Sequence, residues 1–240
     1  MEISWIKSKK DPDSGLWLDI APKTSMHTIT NSDFEIMLSM RLRIPLKCIA
    51  PGTRCSCSKR KVITVDRFGN HFCTGCTKDG VRIATHDAVR DRVATIMNYC
   101  GIFTTTEEKN LFRETDPDDA KRTDISALNL PGRTAKQLLD IRITSCIPSI
   151  YPESLTLKQA KIPLRAANSS FKEKMKKYEK RAKDIGLGFI PIVFETTGRM
   201  HPDTRALLVE VIQKAATEKG VCISLEILDF QFDDLGKSIR

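Results

Sequence analysis

The sequence lacks any uncharged apolar stretch of about 18 residues, the length that a membrane-spanning helix needs. Residues 1–5 lack the basic-then-apolar order of a secretion signal. The chain also has no internal repeat and no low-complexity tract. Together these absences predict an intracellular chain of ordinary globular domains with no membrane partner.

The chain has 240 residues, 40% of them hydrophobic and 29% charged, which allows one or two domains. Its net charge of +9 is unusual, because a basic surface attracts nucleic acid or acidic membranes whatever the fold. Residues 165–183 carry much of the excess, with eight basic and two acidic side chains. This run is either one solvated helix face or a binding surface for nucleic acid.

The eight cysteines are distributed unevenly. Cys55, Cys57, Cys73 and Cys76 lie close together, and in an intracellular chain such a cluster indicates metal binding rather than disulfides. The other four have apolar surroundings, and we expect them in or near the core. They are Cys48, Cys100, Cys146 and Cys222.

The cysteine cluster also contains His71, in a segment too short to build a core of its own. A zinc ion held tetrahedrally by three thiolates and one imidazole would supply the missing folding energy. We therefore predict a zinc-binding knuckle over residues 51–82, with residues 60–70 as a hairpin between the ligand pairs. The expected ligands are Cys55, Cys57, His71 and Cys76, with Cys73 in reserve. The alternative is a set of reduced, unligated cysteines.

The pattern of apolar residues predicts the elements on either side of this knuckle. Residues 1–50 form a helical lead-in, with one helix capped by Asp33. From residue 83 to 240 the pattern predicts an α/β domain, in which Thr85 caps the first helix and Gly101 ends it. Strands are expected at 102–107, 123–130, 137–145 and 189–195, and helices at 165–185 and 203–219. This succession predicts a mixed sheet flanked by helices.

Two aspartates fall on neighbouring predicted strands. Asp124 and Asp140 lie either side of the turn at Pro131 and Gly132, and adjacent antiparallel strands can bring two such side chains together. Mg²⁺ or Mn²⁺ prefers carboxylate oxygens, so the pair is a candidate metal site for phosphodiester cleavage. The alternative is that the two aspartates pair with Arg122 and Arg142.

An ordered set of short motifs carries a family resemblance. From about residue 33 to 198 the chain resembles the C-terminal region of non-long-terminal-repeat retrotransposon polyproteins, which bears a restriction-like endonuclease. The order of the motifs, rather than any single one, carries the likeness. They are Cys55-x-Cys57, Phe68-Gly69-Asn70-His71 with Cys76, Arg82 with Thr85-His86-Asp87, Arg122-Thr123-Asp124-Ile125, Leu139-Asp140-Ile141-Arg142-Ile143-Thr144, Lys174 with Lys177-Tyr178, and Phe189-Ile190-Pro191 with Glu195-Thr196-Thr197-Gly198.

The resemblance implies a restriction-endonuclease-like fold of the PD-(D/E)XK type. It makes Asp124 and Asp140 the two acids that hold Mg²⁺. Related nucleases sometimes place an extra metal-binding acid on the first strand, where Glu107 lies, with Glu108 beside it as a competing assignment. The usual lysine two positions after the second acid is replaced by Arg142, a poor base. The resemblance implies that Lys174, on the following helix, takes its place. Lys174 flanks the apolar face of that helix, so a solvent-facing position is equally open.

The resemblance also implies a function in retrotransposon integration. The expected activity is nicking of DNA in the nucleus, beside a reverse transcriptase domain of the same polyprotein and with the element's RNA as a further candidate partner. His86 falls on the apolar side of its helix, so we expect a buried structural histidine. The alternatives are a catalytically inactive nucleic-acid-binding module of the same fold and a basic protein adaptor. The expected DNA-binding residues are Lys172, Lys176, Lys177, Lys180 and Arg181.

Overall fold

The computed structural model describes residues 2–18, 29–58, 62–112, 122–147 and 156–219. The chain begins with helix α1 (Glu2–Lys9), a 3₁₀ turn over Pro12–Leu18 and helix α2 (Asn31–Leu42). Helix α2 is capped by Thr30, whose hydroxyl accepts a hydrogen bond from the Asp33 backbone N–H at 3.2 Å. The prediction that Asp33 is the cap is therefore wrong, because Asp33 lies in the first turn and accepts a hydrogen bond from Thr30 Oγ1 instead.

A small antiparallel sheet follows α2. Strand β1 (Arg54–Cys55) pairs with β2 (Ile63–Thr64), and Cys55 lies opposite Ile63. The hairpin predicted over residues 60–70 is therefore only partly right: Ile63 lies in a strand, but the strand that it pairs with is β1, before that segment. Arg60 and Lys61 lie outside the described residues. A single π-helical turn, His71–Gly75, and a 3₁₀ turn, Lys78–Gly80, then lead into the larger domain.

Helix α3 (Val81–Tyr99) begins earlier than the sequence pattern suggested. Gly80, at φ 70°, occupies the N-cap position, and Thr85 is buried inside the helix. The prediction of Thr85 as a cap is wrong because glycine reaches the left-handed backbone conformation here at no steric cost. Gly101, at φ 80°, follows the last turn as predicted.

The main sheet has four strands in the order β3 (Phe103–Thr106), β4 (Ile125–Leu128), β5 (Gln137–Thr144) and β6 (Gly188–Glu195). The first three are antiparallel neighbours, whereas β6 runs parallel to β5. The parallel pair requires a crossover, which the short helix α4 (Leu157–Ala160) and the long helix α5 (Arg165–Asp184) provide. Helix α6 (Pro202–Lys219) ends the described chain, and the predicted mixed α/β sheet with helices is confirmed.

Helices cover both faces of this sheet. Val93 and Met97 of α3 and Leu208 of α6 share one buried cluster with Leu139 and Ile141 of β5. On the opposite face Ala182 of α5 packs in a second cluster with Leu138 and Phe112. Because side chains alternate along a strand, Asp140 shares the α5 face of β5 with Leu138.

The segment before residue 50 packs into the rest of the molecule. Trp5 of α1 is buried with Cys146 and Ile147 beyond the end of β5, and Ser4 Oγ donates to the Cys146 carbonyl at 3.0 Å. Ile36 and Met40 of α2 pack against the buried cluster that includes Cys55 and Cys76. The residues predicted as a lead-in therefore contribute to two cores.

The scattered cysteines divide into three groups. Cys100 and Cys146 are buried, as expected for small apolar side chains. Cys48 is exposed, so its predicted core position is wrong. Its side chain lies on the turn between Leu46 and Ile49, whose side chains take the buried positions instead. Cys222 lies outside the described residues.

Candidate functional site

The predicted zinc ligands come together in space. Single ligand atoms of Cys55, Cys57, His71 and Cys76 all lie within 4.8 Å of one another. The Cys55 and Cys76 sulfurs are 3.7 Å apart, and Cys57 Sγ lies 3.5 Å from His71 Nε2. Two thiolates on a tetrahedral zinc, each about 2.3 Å from the ion, lie roughly 3.8 Å apart. The cluster could therefore hold one zinc ion.

The loop that carries His71 is organised by Asp66. Its Oδ1 accepts hydrogen bonds from the Phe68 and Asn70 backbone N–H groups at 3.0 and 3.3 Å, and its Oδ2 accepts from the His71 N–H at 3.1 Å. Such an Asx turn fixes the backbone without help from a large core. It holds His71, which is almost fully buried, against the thiols.

Cys73, the reserve ligand, is not part of this group. Its Sγ donates to the Gly69 carbonyl at 3.5 Å. Burial raises the pKa of the Cys73 thiol to about 12 and that of the Cys76 thiol to about 11, so position rather than pKa separates the two. Geometry therefore favours Cys76 over Cys73.

The two aspartates lie opposite each other. Ile125 of β4 pairs with Leu139 of β5, so the same antiparallel register, continued by one residue, brings Asp124 beside Asp140. Residues directly opposite in such a pair project from the same face of the sheet. Both side chains are largely buried, at 15% and 16% exposed, and both line one cleft.

Lys174 of α5 reaches the same place. Its Nζ lies 2.7 Å from Asp140 Oδ2. The Lys174 ammonium is therefore the direct counter-charge of this buried oxygen. Burial raises the pKa of Asp140, and the Asp124 carboxylate acts in the same direction, while Lys174 and His86 lower it. A cation in the cleft would relieve this repulsion.

His86 lies at the cleft wall and is 31% exposed, so the prediction of a buried structural histidine is wrong. Its apolar-face position on α3 lies at the rim of the sheet, where the core gives way to the two acids. Nε2 lies 3.2 Å from Asp124 Oδ2, and Nδ1 lies 3.2 Å from Asp87 Oδ1. These contacts raise the pKa of His86 to about 9, with the Asp124 hydrogen bond as the largest cause.

Glu107 borders the cleft, where Arg90 and Arg122 contact its carboxylate. Arg122 Nη1 lies 2.5 Å from Oε2, and Arg90 Nη1 contacts Oε1. The Glu107 backbone is left-handed at φ 56°, a strained conformation for a residue with a side chain. Among the described residues Glu107 does not join Asp124 and Asp140 in a three-ligand group within 4.8 Å.

The cleft between these residues has a volume of about 540 Å³. Arg82, Arg122 and Arg142 line it alongside the acids, and all three arginines are exposed. Cys73 lines it too, so the zinc-binding segment forms part of the cleft wall. The cleft therefore combines a carboxylate pair with a basic rim.

The basic side chains of α5 are placed as a charged surface beside the cleft. Lys172, Lys176, Lys177 and Lys180 are exposed. Arg181 is half-buried, with its guanidinium 4.8 Å from the centre of the Phe112 ring. Four of the five predicted DNA-binding residues are thus accessible, and the fifth is partly committed to a cation–π contact.

Sequence reasoning missed the support around the acids. Arg90 is buried on α3 one turn after His86, and its Nη1 lies 3.0 Å from Asp87 Oδ1. The sequence spacing could have indicated this polar group, because residues 86 and 90 lie on one helix face and the acid at residue 87 is next to both. Polar residues on an otherwise apolar face indicate a polar site at the end of that face.

Comparisons with known families and curated proteins found no match. Among its described residues, none of the helices has the length and apolar character needed to cross a membrane.

Proposed function

We propose that this chain is a metal-dependent endonuclease that nicks DNA, with a restriction-endonuclease-like fold. The observation that carries the proposal is the meeting of Asp124 and Asp140 across β4 and β5, with Lys174 at 2.7 Å from Asp140. Two acids and a lysine in one cleft are the groups that metal-assisted phosphodiester hydrolysis needs. The mixed sheet between two helical layers supports the fold.

The residues present fit a divalent cation such as Mg²⁺ or Mn²⁺. Such ions prefer carboxylate oxygens, and Asp124 and Asp140 are two largely buried carboxylates that line one cleft. Asp124 and Asp140 would hold the ion, which would neutralise charge on the phosphate and lower the pKa of a bound water. Glu107 would join them only if it released its arginines.

Lys174 has two roles in this proposal. Its ammonium balances the buried charge of Asp140. If a divalent cation balanced the charge of Asp140, Lys174 could donate a hydrogen bond to the attacking water or to the phosphate. That hydrogen bond would orient the group that receives it. Arg142, two residues after Asp140, stays protonated and serves as a phosphate contact rather than a base.

The basic surfaces bind the DNA backbone. Lys172, Lys176 and Lys180 recur every four residues along α5, so they lie on one helix face. The arginine rim continues the positive charge to the acids. Contacts of this kind go to phosphates, so the affinity depends on salt and carries no base sequence. The zinc-binding module stabilises the cleft wall.

The biological setting is part of the proposal and rests on the ordered motifs. A nick made by this chain would supply a DNA end to a reverse transcriptase domain of the same retrotransposon polyprotein. Chromosomal DNA in the nucleus is the substrate, and the element's RNA is a further candidate partner.

Nicking of supercoiled plasmid tests the proposal. We expect the chain to convert supercoiled to open-circular DNA in Mg²⁺ or Mn²⁺ and to be inactive in EDTA. We expect Asp140→Asn to reduce the single-turnover rate by at least about 100-fold while retaining DNA affinity, because it removes one metal ligand and leaves the basic surfaces intact. The control is Asp184→Asn at the exposed end of α5, which should cut normally.

A catalytically inactive nucleic-acid-binding module is the second candidate. It is favoured by the contacts of Lys174 and His86, because these side chains supply a counter-charge to each acid from the chain itself. Salt-dependent DNA binding without nicking in Mg²⁺ or Mn²⁺ would establish this alternative. Absence of salt-dependent binding would exclude both and favour a protein adaptor.

A further inference from the structure

His86 has a specific arrangement around the carboxylate pair. Its two ring nitrogens each face a carboxylate oxygen at 3.2 Å, one from Asp124 and one from Asp87. An ionised carboxylate accepts hydrogen bonds, so the contact with Asp124 is made by an N–H at Nε2. The imidazole therefore lies between the two acids and bridges them.

The bridge restricts one oxygen of Asp124 and leaves the other open. Oδ2 accepts from His86 Nε2 at 3.2 Å and from the Ile141 backbone N–H at 2.7 Å. No described residue donates a hydrogen bond to Oδ1. Two donors on one oxygen fix the plane of the carboxylate, so its free oxygen keeps one direction.

The His86 ring is also held at its other nitrogen, Nδ1. Asp87 Oδ1, which faces His86 Nδ1, also lies 3.0 Å from Arg90 Nη1. Arg90 is buried, and it contacts Asp91 and Glu107 as well. The chain of contacts thus runs from a buried guanidinium through Asp87 and His86 to Asp124.

We infer that His86 is a positioning residue that orients Asp124 so that its Oδ1 can bind a divalent cation, with Asp87 as its anchor. This inference rests on the proposed function, since it concerns the same carboxylate pair. Groups that orient a metal ligand through hydrogen bonds contribute about 10- to 100-fold to metal affinity. In this arrangement His86 contacts neither the cation nor the phosphate.

Binding of Mn²⁺ to the full chain, followed by electron paramagnetic resonance, tests the inference without relying on activity. We expect His86→Ala to weaken Mn²⁺ binding by about 10- to 100-fold, because Asp124 loses a donor and rotates. His86→Gln retains an amide N–H at a similar reach, so it should bind Mn²⁺ within a few-fold of the wild type. Asp87→Ala should fall between the two.

Controls separate orientation from folding. Thr95→Ala, at an exposed position on the same helix and remote from the cleft, should bind Mn²⁺ as the wild type does. Circular dichroism and zinc content should be unchanged in all four variants. Nicking measured beside binding should require a higher Mn²⁺ concentration in His86→Ala and recover at saturation.

The outcomes distinguish this inference from the proposed function. Unchanged or tighter Mn²⁺ binding by His86→Ala, or equal losses in His86→Ala and His86→Gln, overturns the positioning role even if the wild type nicks DNA. Weakened binding with rescue by glutamine supports the role even if the wild type does not nick, in which case the proposed function alone fails. A wild-type chain that binds no Mn²⁺ at the acids overturns both.

Discussion

Among single residues, Lys174 and Lys172 form an informative pair because they lie on the same helix with different surroundings. Lys174 is only 19% exposed and lies 2.7 Å from Asp140, whereas Lys172 is exposed. Either lysine can add positive charge near DNA, but only Lys174 reaches the acids. Replacing each lysine in turn therefore separates an effect on the nicking rate from an effect on DNA affinity.

We expect Lys174→Met to reduce the single-turnover nicking rate by about 10²- to 10⁴-fold, the usual contribution of a group that assists proton transfer or orients water. The DNA dissociation constant should change little. Lys172→Met should leave the rate nearly unchanged. Equal effects of the two substitutions on the rate would contradict the assignment of Lys174.

Removing Lys174 also leaves Asp140 without its counter-charge. Lys174→Met should therefore lower the melting temperature, and the double variant Lys174→Met with Asp140→Asn should recover part of the loss, because it no longer buries an uncompensated charge. Differential scanning calorimetry measures both. No recovery in the double variant would show that the loss comes from packing.

The sequence predicted the residues whose chemistry is local and missed those whose role depends on the fold. Cys55, Cys57, His71 and Cys76 were predictable because a short segment rich in thiols has few other ways to become stable. Asp124 and Asp140 were identified because a short turn separates their strands. His86 was misplaced, since periodicity reports the side of a helix but not where along the helix the core ends.

At the scale of elements, the zinc-binding segment has short strands and only a small apolar cluster, which includes Cys55, Val65 and Cys76. Strands β1 and β2 have two residues each, and Asp66 rather than a core shapes the turn between β2 and His71. Zinc would supply the remaining stability. Its removal should therefore unfold this segment before the main sheet.

We expect the wild type to contain one equivalent of zinc, Cys76→Ser to lose it, and Cys73→Ala to keep it, because Cys73 lies outside the four-ligand group. Atomic absorption measures the zinc content, and thermal melting measures the stability of each variant. Chelation should lower the melting temperature of the wild type and of Cys73→Ala but have little effect on Cys76→Ser. Loss of zinc from Cys73→Ala alone would contradict this ligand set.

Helix α5 is the element that we expect to set the affinity for DNA. Changing Lys172, Lys176 and Lys180 to glutamine should reduce the salt dependence of binding by about 0.9 in log–log slope for each phosphate that the variant no longer neutralises. The control changes Lys10, Lys158 and Lys161 to glutamine, three exposed lysines elsewhere. Fluorescence anisotropy across a salt series measures the slopes, and equal changes in the two triple variants would contradict a DNA surface on α5.

Element boundaries were less predictable than the elements themselves. The strands and long helices occur where apolar periodicity placed them, because burial on one or two faces dominates their stability. The helix starts were misassigned at Asp33 and Thr85, since several polar residues near a helix start can serve as caps and only the backbone path selects one.

At the scale of the whole molecule, Glu195 joins three parts of the chain. Its carboxylate at the end of β6 is almost fully buried and accepts a hydrogen bond from Ser8 of α1. Burial raises the pKa of Glu195, while Ser8, Arg199 and the Ala167 backbone N–H of α5 lower it. This junction was not predictable, because it links residues far apart in sequence.

The raised pKa of Glu195 gives stability a defined dependence on pH. The folded chain holds the proton more tightly than the unfolded chain, so the contribution is fully present below the unfolded pKa of about 4.5 and is lost as pH rises through the folded pKa. We expect the melting temperature of Glu195→Gln, relative to that of the wild type, to increase as the pH rises from 4 to 7. The exposed Glu218→Gln is the control, and a difference that shrinks with pH would contradict this linkage.

Because both acids belong to a single hairpin, their alignment depends on every residue between them keeping its alternation. One codon gained or lost within β4 or β5 would turn one carboxylate to the far side, whereas the same change at the tip, among residues 129–136, would be absorbed by the loop. Under the proposed function, a one-residue insertion in either strand should abolish cutting, whereas the same insertion at residues 129–136 should leave cutting intact.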